Sequence, residues 1–268
     1  MNYAEVCLGA VEVVRKAGIF IEEQSVLRWN LTVEVKGKHN YVTYVDKTSE
    51  RMLVEGLSRL LPGSGFIAEE GTSSVKSSKY NWIIDPLDGT TNFIHGLPPY
   101  AISVALMDEE ELVTGIIYEL CLKECFYAWK GGAAYLNGTE IRVSETPRVA
   151  DALIATGFPY ADFKYIDYFM KSLEYFMHNS HGLRRLGSAA TDIAYVACGR
   201  FDAFYEYGLN PWDVAAGALI LKQAGGKVSD FKGGDTYLFG QEIIASNGAI
   251  FNEFRDAIGS IMMPANQK

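Results

Sequence analysis

The chain has 268 residues, 49% of them hydrophobic, and carries 33 acidic against 24 basic residues for a formal charge of −9. This length and apolar content can bury a large core, as one domain or two coupled halves. The acidic balance disfavours a surface that binds nucleic acid by neutralising phosphates, and four cysteines (Cys7, Cys121, Cys125, Cys198) without C-x-x-C spacing exclude a disulfide scaffold and leave free, mostly buried thiols as the expectation.

In chain order, the first segment repeats apolar residues at Tyr3, Val6, Ala10, Val13 and Ala17 between charged positions, which predicts an amphipathic helix stopped by Gly18. A second helix follows. Residues 66–68 and 80–84 read as short buried strands, and a β-rich block comes next, with strands at 101–107, 112–119 and 125–129, a turn at 108–111 and an Asn137-Gly138 hairpin signal before 140–143. Beyond about residue 148 the pattern is mixed. It predicts a strand at 152–155, an aromatic-rich helix at 163–177, a helix at 189–198 with Ser188 as N-cap and Gly199 as its end, a strand at 203–206, a helix opening at Pro211 and a strand at 242–246. No repeat or linker divides the chain. The aromatic residues 165–176 suit core or a subunit interface, and the interface is preferred. The longest clearly apolar run, 214–221, is far below the ~20 residues a membrane span requires, and no secretory pattern opens the sequence, so a cytoplasmic location is the default expectation.

The chemistry concentrates in Asp85-Pro86-Leu87-Asp88-Gly89-Thr90, where two carboxylates, a bend and a Gly-led turn follow an apolar strand. Pro86 interrupts the strand alternation, so the two acids can converge; Gly89 lets backbone approach a ligand, and the Thr90-Thr91-Asn92 amides can open a short helix that favours an anion. In isolation the motif is also an ordinary Asp-Gly turn. Two further acidic sites shift the reading. Glu69-Glu70 ends one strand, with only one of the pair able to face the Asp cluster, and Asp213 lies in the first turn of the helix capped by Asn210-Pro211. Carboxylates arriving from the ends of separate elements are what a hard-cation site needs. The histidines, including the His178 and His181 pair, lack the soft co-ligands of a zinc site.

These segments resemble the inositol monophosphatase family: Ala68-Glu69-Glu70-Gly71, residues 85–93 (DPLDGTTNF) and residues 212–217 (WDVAAG) stand in the family's order, supported by residues 36–46, 131–138, 156–160 and 184–190. The resemblance covers nearly the whole chain. It implies an α+β fold, a layered α-β-α-β-α sandwich, with an N-terminal half (1–148) carrying most metal ligands and a C-terminal half (149–268) carrying a substrate wall and Asp213, together one catalytic unit. It implies a homodimer, no membrane association, and an Mg²⁺-dependent, lithium-sensitive phosphoric monoester hydrolase. One Mg²⁺ is expected on Glu69, Asp85 and the Leu87 carbonyl, a second on Asp85, Asp88 and Asp213, with Glu69 serving a weaker third. Thr90 is expected to polarise the attacking water with Asp46 behind it, Glu69 and Glu70 assisting. Asp88, Gly89, Thr90, Ala189, Glu206 and Asp213 are expected to bind the substrate, and Arg184 to support the wall or the dimer contact. Two positions depart from many relatives: Asn40 replaces an acid, and Gly157-Phe158-Pro159 replaces a stretch with a serine near the substrate. The expected substrate is myo-inositol 1-phosphate or a similar polyol monophosphate. The alternatives are fructose 1,6-bisphosphate, histidinol phosphate, or a catalytically silent regulatory protein on this fold.

Overall fold

The computed structural model describes residues 1–26, 33–37, 40–73, 75–160 and 163–263, with side chains from residue 43 onward after the first helix. Lys36 and Asn40 therefore contribute backbone only, and the side-chain expectations for that loop lie outside the described residues.

Two sheets organise the chain. The first has seven strands in the order β3 (Gly65–Ala68), β4 (Tyr80–Asp88), β5 (Ala101–Asp108), β6 (Glu111–Glu119), β7 (Glu124–Trp129), β8 (Ala134–Leu136) and β9 (Thr139–Ile141). Only β3 and β4 are parallel; the rest form an antiparallel meander. The Asn137-Gly138 turn joins β8 to β9 with both residues at positive φ, as the hairpin signal predicts. A small hairpin of β1 (Val33–Gly37) and β2 (Asn40–Thr43) forms its own two-stranded sheet. The second sheet has five strands in the order β11 (Gly182–Arg184), β10 (Leu153–Thr156), β12 (Ala203–Tyr207), β14 (Glu242–Ser246) and β13 (Lys227–Ser229).

Helices fill the faces. α1 (Tyr3–Val26) and α2 (Tyr44–Leu60) cover one face of the first sheet through a core that includes Val14, Ile21, Leu53, Trp82 and Ile116. α5 (Ala189–Ala197) and α6 (Pro211–Gln223) lie between the sheets, and Ala190, Ile193, Ala215 and Ile220 share one core with Ile83 and Ile117 of the first sheet and Phe204 and Ala245 of the second. α4 (Ile166–Asn179) and α7 (Phe251–Met262) close the far face with Phe169, Phe176, Phe254 and Ile258. The layers are α-β-α-β-α, as expected. α3 (Thr90–His95) is a single short helix beside the cleft described below. Among the described residues no helix is long and apolar enough to cross a membrane.

One local reading of the sequence differs from the structure. Gly18 does not stop α1: it sits inside the helix, where a Cβ would lie 2.5 Å from the Tyr118 ring. It is a contact point with β6, and the packing gained there outweighs the roughly 1 kcal/mol a mid-helix glycine costs. The aromatic segment is split, with Phe169 and Phe176 in the core and Met170, Tyr175 and Met177 exposed on the same helix.

Candidate functional site

β4 does not end at Asp85 but runs on through Asp88. Residues three apart on a regular strand point to opposite faces. Here Asp85 pairs with Ser103 and Asp88 with Ala101, so three steps on β4 match two on β5, and the resulting bulge turns both carboxylates to the same side. Pro86, which has no N–H to give the ladder, sits in that bulge. The chain then turns at Gly89, whose φ of 91° is left-handed, into α3.

Asp213 is held from the other direction. It occupies the first turn of α6 and its Oδ2 accepts from the Asn210 amide at 2.6 Å, while Ser103 Oγ of β5 donates to the Trp212 carbonyl at 2.9 Å. That last bond fastens the helix start to the strand beside Asp85. Carboxylate oxygens of Asp85, Asp88 and Asp213 all come within 4.8 Å of one another. Asp88 Oδ2 also accepts from Ser188 Oγ at 2.6 Å and from the Ala190 amide at 2.8 Å, at the N-terminus of α5. Glu69, directly after β3, lies beside Asp85.

A cleft of about 710 Å³ gathers the expected residues Glu69, Asp85, Leu87, Asp88, Gly89, Thr90, Ala189, Glu206 and Asp213 along its lining. Asp46 and Glu70 are not part of that lining. Asp46 stands behind it, fully inside the protein: its Oδ1 accepts from Thr90 Oγ1 at 3.1 Å, and its Oδ2 accepts the Thr43 amide and hydroxyl, both at 2.7 Å, as the capping box of α2. Glu70 offers its backbone instead. Its amide donates to Glu50 Oε2 at 2.7 Å, and the Thr72 amide donates to Glu50 Oε1 at 2.7 Å. The fully buried Glu50 thus fixes the turn that presents Glu69.

Arg184 does not support the wall. It is exposed and donates to the neighbouring Leu183 carbonyl, and the next residue, Arg185, lines the cleft and stacks over the rings of Phe158 and Tyr160 at 5.2 and 5.4 Å. The sequence reading also missed Glu50 and Asp192. Each is a charged residue on a stripe of buried positions, Glu50 in α2 with Asp46, Leu53 and Leu57 and Asp192 in the almost wholly buried α5. An acid at such a position is the signal that could have found them.

The electrostatics are those of crowded acids. Burial, then Asp213 and Glu70, push Glu69 up to about 8; burial and Asp88 push Asp213 up to about 7; burial raises Asp88 to about 6 against the hydrogen bond from Ser188. Asp85 lies well above the ordinary carboxylate range through burial and Glu69. Four neighbouring acids in one cleft are unfavourable together unless a positive charge joins them. The donors are all oxygens, and among the described residues no histidine or cysteine lines the cleft. That set fits a hard divalent cation such as Mg²⁺ and does not fit zinc.

The sequence matches the family model of the inositol monophosphatase family over residues 2–260. The inositol-1-monophosphatase of Mesorhizobium japonicum is 40% identical over 241 residues, covering 90% of this chain and 91% of that protein. The Nus factor SuhB of Pseudomonas aeruginosa is 38% identical over 262 residues, covering 96% of each. Among solved structures, the extragenic suppressor protein suhB from Bartonella henselae superposes with a TM-score of 0.89 at 38% identity, over 93% of this chain and 96% of that one. With the whole chain matched and the acids of its motifs drawn into one cleft, the protein belongs to the inositol monophosphatase family of metal-dependent phosphatases.

Proposed function

We propose that the protein hydrolyses the phosphate monoester of a small polyol, with myo-inositol 1-phosphate the leading substrate, using Mg²⁺ held by Glu69, Asp85, Asp88, Asp213 and the Leu87 carbonyl. The observation that carries this reading is the convergence of Asp85, Asp88 and Asp213 from two separate elements to within 4.8 Å, in a cleft large enough for a sugar-sized ester. When bound, the divalent ions supply positive charge to the phosphate and acidity to water.

The remaining work falls to the chain. Thr90 Oγ1 donates to Asp46 Oδ1 or to the Leu87 carbonyl at 3.0 Å, which leaves its lone pairs to accept from a water and orient it for in-line attack on phosphorus. Asp46 is raised by burial and restrained by its bonds from Thr43 and Thr90, so it fixes the Thr90 rotamer and offers an acceptor for the Thr90 proton. Glu70 acts through the turn it shares with Glu69. The amides of Gly89 and Thr90, at the start of α3, receive phosphate oxygens. Asp88, Ala189, Glu206 and Asp213 border the alcohol.

On the alcohol side Asp88, Asp192 and Glu206, all raised by burial against the opposing charge of Arg185, offer acceptors suited to the hydroxyls of a polyol, while Lys164 and Lys232 also line the cleft and make fructose 1,6-bisphosphate the alternative to test. A homodimer fits the exposed Met170, Tyr175 and Met177 of α4 with nearby Phe158 and Tyr160, and a cytoplasmic setting fits the free cysteines. The test is phosphate release from inositol 1-phosphate, fructose 1,6-bisphosphate and histidinol phosphate with Mg²⁺, EDTA and Li⁺ arms. Preference for the inositol ester, abolished by EDTA, is the expected result; release that persists in EDTA would refute the metal assignment.

A further inference from the structure

Glu206 and Asp192 are buried acids of the cleft wall whose carboxyl groups receive no hydrogen bond from the described residues. Glu206 is 6% exposed and accepts no hydrogen bond from the described residues; Asp192 is 1% exposed and its Oδ1 is buried without a partner. Both line the cleft, as does Arg185, whose Nε is likewise buried without a partner among the described residues. A buried carboxyl left without a donor is costly, and hydroxyl groups of a bound ligand are the donors that would relieve it.

The position of Glu206 depends on a residue that touches no ligand. β10 and β12 are parallel neighbours, with Thr156 opposite Tyr205 and Thr156 Oγ1 donating to the Tyr205 carbonyl at 2.7 Å. The ladder ends at that pair, and Gly157 and Glu206 follow it directly on the two chains. A Cβ built on Gly157 would stand 2.0 Å from Cδ, Oε1 and Oε2 of Glu206 alike, so the carboxyl occupies the space where a side chain would be. Gly157 does not have the positive φ that only glycine tolerates, so alanine meets no backbone strain there, only the carboxyl.

We propose that Gly157 is the specificity-determining position of the cleft: by lacking a side chain it seats the Glu206 carboxyl beside Asp192, and this pair selects a leaving alcohol that carries free vicinal hydroxyls. The inference rests on the phosphatase reading above and adds to it the device that chooses the alcohol. An aryl or alkyl ester has no hydroxyls to offer, so it gains nothing from the pair. Gly157 is a positioning residue, acting through Glu206, and Asp192 is the second acceptor.

The experiment compares kcat/KM for myo-inositol 1-phosphate with that for p-nitrophenyl phosphate, in Mg²⁺, for the wild type, Gly157→Ala, Asp192→Asn and Gly157→Ala combined with Glu206→Asp. Loss of one or two hydrogen bonds to a charged group predicts that Gly157→Ala lowers the polyol-to-aryl ratio roughly 10- to 100-fold. Shortening the acid in the double variant withdraws the carboxyl from the new methyl and recovers part of the ratio, an effect that general damage to the fold would not produce. Should Gly157→Ala fail to fold, the isosteric Asp192→Asn carries the test, with an expected fall of about tenfold. A ratio within about twofold of the wild type in Gly157→Ala, or no recovery in the double variant, overturns the proposal while leaving the phosphatase reading intact. Wild-type protein that releases phosphate from neither ester refutes that reading, and this proposal with it.

Discussion

Glu50 ties the buried side of α2 to the turn that presents Glu69 to the cleft. Its side chain is fully buried, and its two carboxylate oxygens accept from the Glu70 and Thr72 amides at 2.7 Å each in part-buried bonds. Glu50→Gln keeps the shape but leaves one acceptor: one amide still bonds, and the other faces an NH₂ group. The change removes a charge-assisted bond of about 1.5–3 kcal/mol and leaves a part-buried amide facing a donor, at up to ~1–3 kcal/mol more. A total of roughly 3–5 kcal/mol corresponds to a fall in Tm on the order of 6–20 °C for a chain of this size. Because that amide belongs to the turn carrying Glu69, Mg²⁺ affinity should fall as well. Thermal unfolding with and without Mg²⁺, together with calorimetric titration of the metal, would measure both. Glu55→Gln, one turn further along α2 and exposed, is the control and should stay within about 0.5 kcal/mol. A Glu50→Gln protein with wild-type Tm and metal affinity would refute the reasoning.

Asp46→Asn should leave Mg²⁺ binding close to wild type but lower kcat by ~10²-fold, because the Thr90 hydroxyl loses its anionic acceptor; equal turnover in a saturating-substrate assay would remove Asp46 from the mechanism. Asp213→Asn and Asp88→Asn should each abolish Mg²⁺-dependent turnover, and unchanged activity in both would reject the metal assignment. In the metal-free protein Glu69, Asp213 and Asp88 have folded-state pKa values of about 8, 7 and 6, all above the unfolded carboxylate range. The folded state then binds more protons, so metal-free stability falls as pH rises from about 4 to 8. Over the upper part of that window Mg²⁺ uptake should release protons and tighten with pH, which titrations in two buffers of different ionisation enthalpy will detect or exclude. Gly115→Ala should cost about 1–3 kcal/mol and weaken the metal site, since a Cβ on β6 would lie 2.6 Å from the Ala216 carbonyl of the helix that carries Asp213; an unchanged urea midpoint would count against that close contact.

The acids of the proposed metal site were legible because their types and spacings are local: two Asp around a Pro, a Glu pair after an apolar run, an Asp in a capped first turn. The layer order came from the family resemblance, and the strand and helix periods were compatible with it without selecting it. What brings the acids together was not legible. The bulge between Asp85 and Asp88 is a register difference against β5, which only the paired strand reveals. The continuation of α1 through Gly18 depends on Tyr118, a hundred residues away in sequence by order of magnitude. Arg185 rather than Arg184 faces the cleft because β11 ends at Arg184, and adjacent residues of the same type give the sequence no basis to choose. Glu50 and Asp192 were hidden by being single acids, although their places on buried helical stripes offered a signal.

The middle layer of the sandwich has a consequence for how this protein can be divided. α5 and α6 serve both sheets at once, so the first sheet receives its second covering from helices encoded after it, and the second sheet shares that covering. Cutting the chain between Ile141 and Leu153 would yield one fragment with a bare apolar sheet and another with helices lacking a wall to pack on. Neither piece is an exchangeable module. The two are expected to reassemble only when made together, and a recombinant that joins halves from distant relatives must match them along α5 and α6 before its active cleft can form.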